Sequence, residues 1–276
     1  MPQDGYFDSG GERLHYIDWG GDGPPLVLVH ATGFFGGLWA PVAEALQGRF
    51  RVITNDQRGH GDSARPEDGY TFETFAGDLQ ALVEALGLKT VVAAGHSSGG
   101  TTIALHAALY PGAIQRMVLI EPILLAREFV NRGPNPMADQ ARKRRPAWPS
   151  RQEMFDSFRQ RPPFNTWRED ILRLYVDDGT LSRDGADAEL KCQPEYEARF
   201  YEAVAALDPW PYLERITCPT LVAWAEGGRP EPMFDREAVG RAIKGCRTVV
   251  VPGVGHFAPM EKPEQIAALV KDFLLE

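Results

Sequence analysis

The feature that most constrains this chain is an alternation. Short, largely apolar runs bounded by turn residues take turns with longer stretches of helical periodicity. The runs fall at residues 14–19, 26–30, 51–55, 91–95, 117–121, 220–225 and 248–251. Helical patterns occupy roughly 38–46, 72–86, 101–109, 236–243 and 263–275. Strands without polar alternation suit a sheet covered on both faces, as parallel sheets are. Helices between them imply right-handed crossovers and a doubly wound, mostly parallel α/β sheet.

The alternation stops between residues 123 and 213. That stretch holds the basic run Arg142-Lys143-Arg144-Arg145, several prolines, and aromatics such as Trp148, Phe155, Trp167 and Tyr201. Helix-like pieces stand at about 150–160, 166–176 and 194–206, and Ser150 with Glu153 forms a capping box. Strand-like runs are absent from the pattern. The stretch therefore reads as a helical insertion, 123–213, in a core formed by 1–122 and 214–276. Its aromatics serve as its own core and partly as the wall of an apolar pocket. The basic run reads as a solvated loop; the alternative is that one arginine meets an anionic group on a substrate.

Composition removes several classes. The 276 residues are 43% apolar and 24% charged, an ordinary globular balance. A net charge of −9 and a pI near 5.3 speak against a nucleic-acid partner. No run approaches the ~20 apolar residues of a membrane span. Met1-Pro2-Gln3-Asp4 lacks the basic start and apolar block of a signal peptide. Cys192, Cys218 and Cys246 form no C-x-x-C pair, which favours a reducing compartment. The expectation is a cytoplasmic protein without a membrane partner; a homodimer is allowed. With no H-E-x-x-H, P-loop or G-x-G-x-x-G in the right setting, neither metal nor cofactor is expected.

The 91–95 run leads into Gly95-His96-Ser97-Ser98-Gly99-Gly100, and a helix follows. This is G-x-S-x-G at a strand–turn–helix junction, where a strained turn presents the serine at the top of the sheet. The helix N-terminus beside it favours an oxyanion. The spacing puts Ser97, not Ser98, between the glycines.

From these residues the chain resembles an α/β-hydrolase with a helical cap inserted after strand 6. Other landmarks agree. His30-Ala31-Thr32-Gly33-Phe34 resembles the family's His-Gly loop, and Asp56-Gln57-Arg58-Gly59-His60-Gly61-Asp62-Ser63 its D-x-R-G-x-G-x-S turn. Val251-Pro252-Gly253-Val254-Gly255-His256-Phe257 resembles the loop carrying the catalytic histidine. A serine at the elbow argues against the epoxide hydrolases and haloalkane dehalogenases of this fold, which use aspartate there.

A serine hydroxyl needs a positioned base. Of the six histidines, His256 matches the family's base. His30 is expected to hold its loop by hydrogen bonds, and His96 to point away from the serine. The resemblance implies oxyanion donors at the N–H groups of Thr32 and Ser98. Ala31 replaces the family's common glycine, and Thr32 Oγ1 is a further candidate donor.

The acid departs from the common pattern. Many relatives carry G-E-x-D after the strand matching 220–225; here Ala225-Glu226-Gly227-Gly228 puts glycine where that aspartate stands. Some relatives, including certain haloalkane dehalogenases and a zearalenone-type lactonase, place the acid one strand earlier. Glu121, followed by Pro122, ends that strand. A carboxylate finishing a wholly apolar strand is unusual without a partner. The reading is a Ser97–Glu121–His256 triad, with Glu226, Glu231 and Asp235 as the other candidates and Glu231 first among them. The resemblance then implies a serine hydrolase acting on a small, partly apolar ester or lactone. A carbon–carbon bond hydrolase and a ligand receptor on the same scaffold are the rivals.

Overall fold

The computed structural model describes residues 1–183, 186–229 and 232–276. An antiparallel hairpin opens the chain, β1 (Gln3–Ser9) and β2 (Glu12–Gly20). Then follow β3 (Pro25–Val29), α1 (Ala40–Leu46), β4 (Arg51–Asn55), α2 (Phe72–Ala85), β5 (Val91–His96), α3 (Ser98–Leu109) and β6 (Ile114–Ile120). The inserted stretch carries α4 (Pro136–Arg142), β7 (Ala147–Trp148), α5 (Arg151–Phe158), α6 (Glu169–Asp178), β8 (Thr180–Arg183), β9 (Ala186–Leu190), α7 (Pro194–Ala206) and α8 (Trp210–Leu213). The chain closes with β10 (Thr220–Gly227), α9 (Arg236–Ala242), β11 (Arg247–Gly255), α10 (Ala258–Glu261) and α11 (Pro263–Leu274).

The main sheet has eight strands in the order β1-β2-β4-β3-β5-β6-β10-β11. All pairs from β4 to β11 are parallel; β2 joins β4 antiparallel. Alternate residues of each central strand enter opposite cores. Val27, Val29, Ala93, Met117 and Leu119 pack with α2, α3, α8 and α9 on one face. Leu26, Leu28, Val92, Val118 and Ile120 pack with α1 and α11 on the other. Both faces are covered, which is why these strands read as unbroken apolar runs.

Two readings of the inserted stretch need correction. It is not wholly helical: β7, β9 and β8 form a small antiparallel sheet. Its strands are short and carry Ser182, Asp187 and Glu189, so no apolar run announced them. Nor is the basic run a solvated loop throughout. Arg142 ends α4 and pairs with Glu195 and Glu202 of α7. Arg144 pairs with Glu197 and reaches Tyr175 Oη. Lys143 and Arg145 are exposed as a solvated run requires, Arg142 is exposed but tied to α7, and Arg144 is half-buried.

Most of the inserted aromatics form one core with the loop after β3, while Phe200 packs on α2. Trp148, Phe155, Trp167 and Tyr175 cluster with Phe34, Phe35 and Leu38. The insertion is thereby seated on the carboxyl edge of the sheet, above the elbow. Among the described residues no helix is long and apolar enough to cross a membrane.

Candidate active site

Ser97 stands between β5 and α3 with φ 56° and ψ −121°, a conformation L-residues rarely adopt. The crossing is tight enough to demand glycine on both sides. A Cβ on Gly95 would lie 2.6 Å from the Gly99 carbonyl carbon, and one on Gly99 would lie 2.3 Å from Val29 O. The turn aims Ser97 Oγ at His256 Nε2, 3.2 Å away.

His256 follows β11, and its main-chain oxygen is held by His96 Nε2 at 2.7 Å. His96 therefore helps position the main chain of His256. His256 Nδ1 lies 3.1 Å from Glu121 Oε2. Glu121 comes one residue after β6, with φ 47° and 1% of its surface exposed. It accepts main-chain hydrogen bonds from Ala225 (2.7 Å) and Arg229 (3.2 Å). Burial alone would raise the carboxyl's pKa; the His256 hydrogen bond and the Ala225 N–H overcome it, and the net shift is downward. Glu121 is thus an ionised carboxylate at neutral pH.

The other acids lie elsewhere. Glu226 is exposed and accepts from Gly253 N. Asp235 caps α9 by accepting from Ala238 N. Glu231 lies outside the described residues.

The loop after β3 is built from buried polar groups. His30 Nδ1 bonds Ala31 O at 2.7 Å, while its Nε2 accepts from Gln57 N at 3.0 Å. His60 Nε2 accepts from Gly33 N, and Asp56 Oδ1 from Gly36 N. Burial holds the His60 pKa down to about 3, so this acceptor persists at any physiological pH. The Asp56–Ser63 turn is therefore the clamp of the loop, and Arg58, paired through two hydrogen bonds with Asp78, fastens the turn to α2. Within the clamped loop, Thr32 N–H has no acceptor among the described residues. Ser98 opens α3, so its N–H lacks an intrahelical acceptor. Thr32 Oγ1 is not a spare donor: it donates to Ser98 Oγ at 3.0 Å.

Sequence reasoning missed Arg229. Its Nη2 lies 3.2 Å from His256 Nε2 and its Nε 3.4 Å from Nδ1, so the guanidinium runs alongside the imidazole. Burial lowers the His256 pKa most; the Glu121 hydrogen bond opposes this and the Arg229 charge adds to it, leaving the histidine below its ordinary value. The available signal was position: Arg229 directly follows the glycine standing where the family's acid is common.

A cavity of about 70 Å³ connects these groups, lined by Thr32, Ser97, Tyr201, Arg229 and His256. A larger space of about 420 Å³, with Phe34, Phe164 and Arg144 in its wall, shares Thr32 and Tyr201 with it. Another of about 450 Å³, mostly apolar, shares Arg229.

Fold, elbow and loop order define a class. The family model described as alpha/beta hydrolase fold matches residues 24–263, and the chain belongs to that family. Within it, the chain is 29% identical to a non-heme chloroperoxidase of Streptomyces lividans over 248 residues, 82% of this chain and 83% of that protein. The solved E-2-(acetamidomethylene)succinate hydrolase has the same fold, with a TM-score of 0.86 at 23% identity and 100% of both chains covered. The enol-lactonase from Burkholderia xenovorans LB400 gives 0.78 at 26% identity, covering 99% of this chain and 100% of that one.

Proposed function

We propose that the chain is a serine hydrolase that cleaves a carboxylic ester or lactone through an acyl-enzyme. One observation carries the reading: the unbroken hydrogen-bonded series from Ser97 Oγ through His256 to Glu121. Ser97 Oγ attacks the carbonyl carbon while His256 Nε2 takes its proton. The carbonyl oxygen becomes an oxyanion and receives the N–H groups of Thr32 and Ser98. Glu121 orients His256 and stabilises the imidazolium. The tetrahedral intermediate collapses, the carbon–oxygen bond breaks, and His256 hands its proton to the departing alcohol. Water, deprotonated by His256, then releases the acid and restores Ser97. The inserted segment acts as a cap that sets the size and polarity of the substrate, and its aromatic wall fits a partly apolar group.

A carbon–carbon bond hydrolase would use the same serine and histidine, and arginines in the site keep that reading in view. A dienone absorbance assay separates it from ester cleavage. The test of the main reading is intact-mass spectrometry after incubation with a fluorophosphonate, with Ser97→Ala as control. A single adduct lost in the control, followed by turnover of p-nitrophenyl esters, supports acyl transfer. No adduct on folded protein would remove it and favour a ligand receptor.

A further inference from the structure

The Arg229 guanidinium lies beside the imidazole, where the Glu121 carboxylate attracts it through space. Among the described residues, no carboxylate forms an ion pair with its guanidinium. Its main-chain N–H serves Glu121, and its side chain packs on Phe234, 5.4 Å from the ring centroid. The guanidinium has five donors. The imidazole beside it offers at most one lone pair, on Nε2, because Nδ1 points its proton at Glu121. Arg144, the other arginine near the site, contrasts with it: that side chain is ion-paired with Glu197 and donates to Tyr175 Oη. Arg229 lines both the cavity at Ser97 and the 450 Å³ space behind it, so a ligand spanning the two passes its donors.

The position carries a chemical cost. Ser97 Oγ and Arg229 Nη2 stand at the same 3.2 Å from His256 Nε2 and compete for one lone pair. When His256 takes the serine's proton, the imidazolium faces a guanidinium, and like charges in a half-buried site oppose the step. An anion on Arg229 relieves both problems. It draws Nη2 toward itself, leaving Nε2 to the serine, and it balances the charge beside the imidazolium.

We propose that Arg229 binds a substrate carboxylate, and hence that the substrate is a short carboxylate-bearing ester or lactone, of the type of a dicarboxylic half-ester. A guanidinium grips a carboxylate with two parallel hydrogen bonds, which also fixes the scissile carbonyl relative to Ser97. The inference rests on the acyl-transfer reading and names its substrate class.

The test pairs monomethyl succinate with methyl butyrate, which differ by carboxylate against methyl. Ligand-observed NMR titration into Ser97→Ala reads binding without turnover. Monomethyl succinate should bind at least tenfold more weakly once Arg229→Gln is added, and Arg229→Lys should recover part of the loss. With Ser97 intact, the ratio of kcat/KM for the two esters should favour monomethyl succinate and fall at least tenfold in Arg229→Gln. Thermal melts check that each variant is folded. Equal binding with and without Arg229, or no binding to either protein, overturns the proposal. So does a wild-type preference for methyl butyrate. Failure of acyl transfer itself shows differently: the Arg229-dependent binding persists while Ser97-dependent turnover is missing.

Discussion

Glu121 occupies the space that a side chain at position 228 would need. A Cβ on Gly228 would lie 2.4 Å from Glu121 Oε1 and 2.6 Å from Oε2. A side chain at 228 and the Glu121 carboxylate therefore exclude each other in this chain, and the proposed acid at the end of β6 requires a small residue in the loop after β10. Gly228→Ala should leave the protein folded and cut kcat/KM by about a hundredfold or more, because the displaced Glu121 loses His256. The exchange Glu121→Ala with Gly228→Asp should recover at least about tenfold over Glu121→Ala alone, since an aspartate there enters the same space. Ester turnover across the variants, with melts as controls, decides it; full activity in Gly228→Ala would show that Glu121 is not the acid.

Glu121→Gln keeps the volume and removes the charge. The amide can still accept from Ala225 N, so stability should change little. It would no longer stabilise the imidazolium or enforce the Nδ1–H tautomer, and kcat should fall by roughly 10³–10⁴, the scale seen when a triad carboxylate becomes an amide. Stopped assays on a p-nitrophenyl ester with correction for the uncatalysed rate measure this, and activity within tenfold of the parent contradicts the role.

Most of this arrangement was legible in the sequence, for physical reasons. Strands covered on both faces leave unbroken apolar runs, and β3 to β6 and β10 were found that way. Ser97 sits in a turn whose glycines are dictated by close backbone approach, and the loop before His256 holds Gly253 at a positive φ of 65°. Glu121 was singled out because some relatives of similar pattern place the acid at the end of that strand, and because a carboxylate ending an apolar strand needs a partner. What escaped lacks such a signature. β1 is mostly polar and exposed, and of its residues only Phe7 is buried. The strands β7 to β9 are too short to show a period. Arg229 escaped because a lone arginine in a loop has no spacing to read; its meaning comes only from the imidazole it lies beside.

The pH dependence should carry the mark of that neighbour. The groups around His256 are Glu121 at Nδ1, Arg229 along the ring, Ser97 at Nε2 and the His96 ring, with centroids 5.1 Å apart. Burial pushes His96 well below its ordinary value, so it stays neutral, and Glu121 is held low, so neither titrates near neutrality. The acid limb of kcat/KM therefore reports His256. Its pKa is lowered, so the neutral base survives to more acidic pH and the limb should fall below the ordinary histidine value of about 6.5. Arg229→Gln removes a nearby positive charge, favours the imidazolium and should move the limb upward. A pH profile of a neutral ester in both proteins reads the two positions. An unmoved limb would mean that Arg229 does not act on His256 electrostatically.

Thr32 separates what a main chain does from what a side chain does. Its N–H has no acceptor among the described residues, while its hydroxyl donates to Ser98 Oγ. Thr32→Val keeps the N–H and the loop, which is clamped by His30, His60 and Asp56 from other positions. It should lose about 1 kcal/mol of stability for the one hydrogen bond and leave kcat within about threefold. Loosening the clamp should do the reverse. His60→Ala removes the acceptor for Gly33 N, frees the segment carrying Thr32 N–H, and should lower kcat by ten- to a hundredfold, since a weakened oxyanion donor is worth up to about 10²–10³. Chemical denaturation and steady-state kinetics on both variants test the contrast. A large kcat loss in Thr32→Val with little change in His60→Ala would assign the oxyanion contact to the hydroxyl instead of the main chain.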